Sequence, residues 1–156
     1  LNKRDIHVHE IIKNVLNNLQ LQIEEKHGKV EVQLNAASDL MEADEVHLTN
    51  LINNLVDNAL KYSKDDSFQL KISTKNIGKS IRIQVEDHGI GMNKETLARV
   101  FEKFYRAHTG NVHNVKGFGL GLSYVKTMVE AHEGKVKADS VVGKGSTFTI
   151  DFPLKK

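Results

Sequence analysis

Asn50, Asn54, Asp57, Asn58 and Lys61 recur at helical spacing within residues 47–62. At about 100° per residue they fall within an arc of roughly 100° on one helix face. A solvated helix face ordinarily carries Glu, Lys, Gln or Arg. Three Asn and an Asp are unusual there, because each costs up to about 0.7 kcal/mol against Ala in a helix interior. Short amide and carboxylate groups are good ligands for a hard cation and its waters, so the stripe reads as a metal-and-phosphate surface. The opposite face holds Leu48, Leu51, Ile52, Leu55, Val56 and Ala59, the pattern of a core-facing helix.

Three further groups could do chemistry. The first is Asp87-His88-Gly89-Ile90-Gly91. Ile81, Ile83 and Val85 alternate, and period two puts Asp87 on their core-facing side. A carboxylate there lacks water unless something pairs with it, and the glycines let backbone approach a ligand closely; a turn with a solvated Asp is the bland alternative. The second is Gly117-Phe118-Gly119-Leu120-Gly121-Leu122-Ser123, opening a helix. Backbone N–H groups at a helix N-terminus form an anion site. The spacing is not the dinucleotide fingerprint, because Leu122 stands where a glycine is required. A P-loop is also excluded at Gly143-Lys144-Gly145-Ser146, where Ala138 occupies the first glycine position. The third is Phe101-Glu102-Lys103-Phe104-Tyr105-Arg106. Its aromatics could anchor a lid, with Arg106 reaching a phosphate on closure; core aromatics at a helix end beside a surface Arg would look the same.

The elements that must position these groups follow from periodicity. A short strand is expected over residues 5–8. A helix follows over 10–26, with Ile11, Ile12, Val15, Leu16, Leu19 and Ile23 on one face and Gly28 just beyond its end. A strand is expected over 29–34, and Asp44 should cap the two-striped helix. Residues 68–72 and 81–85 alternate around a turn at 75–80, a hairpin. Asn93 should cap a short helix through Phe101, and residues 107–116 should form a mobile loop. A helix over 120–132 and a hairpin of 135–138 with 146–152 around Gly143 and Gly145 complete the chain, with Pro153 ending the last strand. This is an α+β pattern, helices layered on one sheet face, with Phe148, Ile150 and Phe152 on the core side.

At 156 residues the chain is long enough for one domain with a sizeable core. Its composition, 39% hydrophobic and 27% charged, is that of an ordinary globular protein. The net charge of +2 and pI of 8.7 come from scattered Lys and Arg, so nucleic-acid binding has no compositional support. With no cysteine, disulfides and thiolate metal sites are excluded. No apolar run approaches the roughly 18 residues of a membrane span, and a cytoplasmic domain is expected. The start at Leu1 reads as an excised fragment, compatible with a membrane-anchored parent protein.

Taken together and in this order, the motifs make the chain resemble the ATP-binding catalytic domain of bacterial sensor histidine kinases. That family belongs to the superfamily shared by gyrase, mismatch-repair clamps and heat-shock chaperones. Asn54-Leu55-Val56-Asp57-Asn58-Ala59-Leu60-Lys61-Tyr62-Ser63 resembles its asparagine box. Asp87 to Gly91 and Gly117 to Leu122 resemble its glycine boxes, the six residues from Phe101 its phenylalanine box, and Gly143-Lys144-Gly145-Ser146-Thr147-Phe148 its last box. The likeness covers residues 1–156 as a single domain. It implies a Bergerat-type two-layer α/β sandwich: a mixed, mostly antiparallel sheet, helices on one face and a flexible ATP lid. It further implies that Asp87 accepts a hydrogen bond from the adenine amino group with Thr147 nearby, and that Gly89, Gly91 and Met92 flank the base. Asn58 would bind Mg²⁺ beside Asn54, Lys61 and Arg106 would contact phosphate oxygens, and Tyr62 and Tyr105 would line the nucleotide. Gly117, Gly119, Leu120, Gly121 and Leu122 would bring lid backbone to the phosphates. Asp57 stands at the family's acidic position, often Glu, one methylene shorter.

The implied activity is transfer of the ATP γ-phosphoryl to a histidine, with a response regulator downstream. None of the eight histidines has the family's acceptor context of a following acidic residue and a nearby proline. The acceptor is therefore expected in a dimerising helical hairpin N-terminal to Leu1. His7, His9, His108 and His113 read as surface residues, and no H-E-x-x-H or comparable zinc spacing occurs. The alternatives are a nucleotide-gated protein-binding module without phosphotransfer, and an ATP-driven clamp of the gyrase type, which would need a second domain after the pocket.

Overall fold

Apolar alternation sets the sheet, and helical stripes cover one side of it. The structure is a computed structural model that describes residues 1–64, 67–103 and 121–156. Its elements are β1 (Arg4–His7), α1 (Val8–Asn18), α2 (Gln20–Glu25), β2 (Lys29–Leu34), β3 (Leu40–Ala43), α3 (Glu45–Lys61), β4 (Gln69–Ile77), β5 (Ser80–Asp87), α4 (Lys94–Arg99), α5 (Gly121–Ala131), β6 (Lys135–Val141) and β7 (Gly145–Pro153). The main sheet has the order β2-β4-β5-β7-β6. Its β2–β4 pair is parallel and the other three pairs are antiparallel. A parallel pair needs a long crossover, and β3 with α3 supplies it.

Leu70 and Ile72 of β4, Ile81, Ile83 and Val85 of β5, and Phe148, Ile150 and Phe152 of β7 point to one side and are buried. Val8, Ile11, Ile12 and Val15 of α1, the apolar stripe of α3, and Val125 and Val129 of α5 close over them as one core. The other sheet face is polar. Arg82 pairs with Asp151 at 2.8 Å, Gln84 donates to Thr149 at 3.3 Å, and Lys71 lies 3.5 Å from Glu31. The edge strands β2 and β6 expose Lys29, Glu31, Lys135, Lys137 and Asp139.

Three local expectations change. The helix expected over 10–26 begins at Val8 and breaks at Leu19, which leaves helical geometry with φ −99° and ψ 7°. Asn17 and Asn18 precede the break, and Asn competes with helical backbone bonding. The strand β3 was not foreseen; it pairs antiparallel with β1 in a separate two-stranded sheet. That sheet is tied to the main one where Lys155 N donates to Leu40 O at 2.9 Å and Leu154 N donates to Lys79 O at 3.0 Å. His9, expected at the surface, is largely covered, its side chain 18% exposed, with Nε2 2.8 Å from Thr74 Oγ1. The loop expected over 107–116 lies outside the described residues.

The caps hold as expected. Asp44 accepts the His47 amide at 3.1 Å and Asn93 accepts that of Thr96 at 2.8 Å. Asp44 also anchors the far end of α5. His132 is 2% exposed, and its Nδ1 lies 2.7 Å from the Met128 carbonyl. A carbonyl can only accept, so Nδ1 carries the proton and Nε2 is free to accept the Asp44 amide at 3.1 Å. Replacing His132 with Phe keeps a ring beside Phe152 but leaves that buried amide without its acceptor. The expected loss is about 1–3 kcal/mol, seen in urea unfolding as a lower midpoint at unchanged m-value. An unchanged midpoint would show that the clasp contributes nothing.

Candidate functional site

The site forms where three pieces of backbone converge: the C-terminus of α3, the loop after β5, and the β6–β7 turn. A helix end leaves carbonyls unpaired. Here the Tyr62 carbonyl is met by the Ile90 amide at 2.9 Å, and the Ile90 carbonyl in turn accepts the Gly143 amide at 2.8 Å. The approach is too close for side chains. A Cβ on Gly89 would lie 2.3 Å from the Tyr62 carbonyl oxygen. One on Gly91, where φ is +70°, would lie 2.1 Å from the Val141 oxygen. Such a φ is easily reached by glycine and strained for most other residues.

Asp87 ends β5 on the core side and is 7% exposed. Its Oδ1 accepts the Gly89 amide at 2.9 Å. Burial pushes its carboxyl above the usual range, while amide bonds from Gly89 and Ser146 pull the other way. The register corrects the expectation of Thr147 beside Asp87. Ser146 pairs with Asp87, and Thr147 pairs with Glu86 on the polar face, because successive strand residues alternate sides. Counting back by twos from the core residue Phe148 reaches Ser146, so the signal was present in the sequence.

Ser140, not foreseen at all, joins these parts. Its hydroxyl donates to the Gly145 carbonyl at 2.8 Å and accepts the Met92 amide at 2.7 Å. A hydroxyl has one proton, so the 2.8 Å contact with Ser146 Oγ has Ser146 as donor. The serine pair thereby fixes Met92, and with it the loop, on the hairpin.

On α3, Asn54, Asp57 and Asn58 are half-buried and Lys61 is exposed. Lys61 Nζ pairs with Asp57 Oδ2 at 3.1 Å, one helical turn away, with both side chains more than a third exposed. An exposed pair of this kind contributes about 0–1 kcal/mol and separates readily. Gly121, the first residue of α5, abuts Asn54: a Cβ there would lie 3.9 Å from Asn54 Cγ. The start of α5 therefore faces the asparagine stripe. Leu122 packs against the core, as does Met92. Tyr105, Arg106, Gly117, Gly119 and Leu120 lie outside the described residues.

Among the described residues no three His, Cys, Asp or Glu side chains form a metal cluster. The oxygens of Asn54, Asp57 and Asn58 suit a cation that keeps its waters and shares ligands with a phosphate, as Mg²⁺ does. The arrangement as a whole offers a buried acceptor at one end, glycine backbone packed closely beside it, and an amide-rich face next to a helix N-terminus.

Comparisons with known proteins point to one family and one fold. The family model described as "Histidine kinase-, DNA gyrase B-, and HSP90-like ATPase" matches residues 43–156. The chain is similar to Sensor protein RprX of Bacteroides fragilis, 44% identical over 157 residues, which cover 100% of this chain and 30% of RprX. This chain thus spans about a third of that relative. Its fold is similar to the catalytic domain of histidine kinase ThkA, with TM-score 0.84, 21% identity and 98% of each chain covered. A further similar structure is ThkA in complex with response regulator protein TrrA, with TM-score 0.78, 18% identity, and 98% of this chain and 42% of that one covered.

The Asp87 environment makes a pH prediction. Its folded value is raised, so the protonated form is the one folding favours. The resulting stability is full below the unfolded value of about 3.9 and is lost as pH rises through the folded value. A carbon-13 titration of the Asp87 carboxyl should give a midpoint above that of an unstructured peptide. A midpoint at or below it would mean that the Gly89 and Ser146 amides outweigh burial.

Proposed function

This chain belongs to the histidine kinase-, DNA gyrase B- and HSP90-like ATPase family, and on that premise we propose that it is the ATP-binding catalytic domain of a two-component sensor histidine kinase. It would move the γ-phosphoryl of ATP to a histidine on a neighbouring domain of the same longer protein, with a response regulator as the later recipient. Residues 1–156 would form the single catalytic domain of that protein, on the cytoplasmic side whether or not the parent is anchored. The observation that carries this reading is the joining of the buried Asp87 to the asparagine face of α3 through one backbone contact, Ile90 to Tyr62. A carboxylate fit to receive an amino group and a surface fit to receive a cation and phosphates are thus held at a fixed separation.

The residues divide the work. Asp87 would accept the adenine amino proton, and its burial makes that bond selective, because an unpaired ionised carboxylate there is unfavourable. Gly89, Gly91 and Met92 would shape the slot for the base, Tyr62 would flank the ribose, and Ser146 would stand where Thr147 was expected. Asn58 would hold Mg²⁺, with Asn54 beside it near the phosphates, and the ion when bound supplies charge neutralisation on the β- and γ-phosphate oxygens. Lys61 would turn from Asp57 toward a phosphate oxygen, leaving the Asp57 carboxylate free to orient the incoming imidazole. A neutral imidazole has a lone pair near pH 7. Its nitrogen forms the bond to the γ-phosphorus as the bond to the bridging oxygen breaks, and ADP leaves with that oxygen. Arg106, together with Tyr105 and the residues from Gly117 to Leu122, is proposed for the phosphate end on the family's pattern alone. The ThkA–TrrA complex supports a response regulator as partner.

Titration calorimetry tests the pocket. The parent chain should bind Mg·ATP and Mg·ADP at micromolar levels. Asp87→Asn should lose both, and Asn58→Ala should lose mainly the Mg²⁺ dependence. Adding the phosphoacceptor domain should then give an acid-labile phosphohistidine. Binding without transfer to a competent acceptor would favour the nucleotide-gated binding module, and no binding at all would sink the ATP reading.

A further inference from the structure

The asparagine face of α3 starts a turn before Asn54, at Asn50, and α5 packs along α3. Tyr124 sits three residues after Gly121, so the two share a face of α5. Its hydroxyl lies 2.7 Å from His47 Nδ1 and 3.4 Å from the His47 carbonyl, to which it donates. The two rings are tilted by 42° with centroids 6.0 Å apart. The helices run antiparallel: Gly121 faces Asn54, Tyr124 bonds His47, and His132, just past the end of α5, accepts the Asp44 amide.

Two of these contacts are hydrogen bonds, one near each end of α5. Between them, Val125 and Val129 are fully buried and hold α5 to the core by apolar packing, which is non-directional. Hydrogen bonds have direction, so the Tyr124 cluster fixes where the first turn of α5 sits along and around α3. That turn carries the amides without intrahelical partners and faces Asn54.

We propose that Tyr124 is a positioning residue. Through His47 it registers the first turn of α5 on α3 beside Asn54 and so sets the affinity for the phosphate end of the nucleotide, not for its base. This rests on the ATP-binding reading above and adds to it a residue outside its motifs.

Tyr124→Phe removes only the hydroxyl. Its Kd for Mg·ATP should rise about threefold to tenfold, the effect of one or two neutral hydrogen bonds. Its affinity for adenosine, followed by NMR chemical-shift titration, should stay unchanged. His47→Leu should match it, and the double variant should be no weaker than the weaker single one, as for partners in one network. An unchanged Mg·ATP Kd overturns the inference, as does a parallel loss of adenosine affinity, which would mark a general structural role. A parent chain that binds no nucleotide overturns the ATP reading and this inference with it, whereas a binding parent with an unaltered Tyr124→Phe overturns this inference alone.

Discussion

The amide of Ile90 meets the carbonyl of Tyr62 at 2.9 Å, and both halves of the site are referred to that contact. On one side it ends α3, and so fixes where Asn54, Asp57 and Asn58 stand. On the other it fixes the loop that leaves β5 just after Asp87. A side chain at residue 89 would hold the two apart, as the 2.3 Å approach of a Cβ to the Tyr62 oxygen shows. Glycine there is the condition for bringing a sheet's carboxyl end and a helix's C-terminus into register.

That register is maintained at some expense in local stability. Three Asn and an Asp weaken α3 as a helix, and Asp87 is buried against its preference for water. The rest of α3 offsets this, with Asp44 at its N-cap and Leu48, Leu51, Ile52, Leu55 and Val56 essentially inaccessible. Unfavourable choices concentrated on one face, and favourable ones elsewhere on the same element, are how a functional surface differs from a scaffold.

Much of this was legible in the sequence, and the failures have physical causes. Period 3.6 found both stripes of α3, and period two placed Asp87 inside. The same period, counted back from Phe148, selects Ser146, whereas the box motif taken alone points to Thr147. The strand β3 has four residues, too few to alternate visibly, and it exists through pairing with β1, a long-range contact that no local pattern encodes. The break at Leu19 interrupts a stripe whose apolar spacing continues through it to Ile23. Ser140 and the Tyr124 cluster were invisible because each depends on which segments meet in space. A lone serine on an edge strand, or a tyrosine among apolar helix positions, carries no sequence signature.

The two edges of the main sheet bear on how this domain meets other chains. An unpaired strand edge is a template for addition of a foreign strand. Here β2 exposes Lys29 and Glu31, and β6 exposes Lys135, Lys137 and Asp139. A strand docking on either edge would bring its own side chains alongside these charges, which discourages sheet-to-sheet stacking and fibre growth. Association by recruitment of a strand is thus disfavoured where these charges stand, although Val32 on β2 and Val141 on β6 are exposed on the same strands.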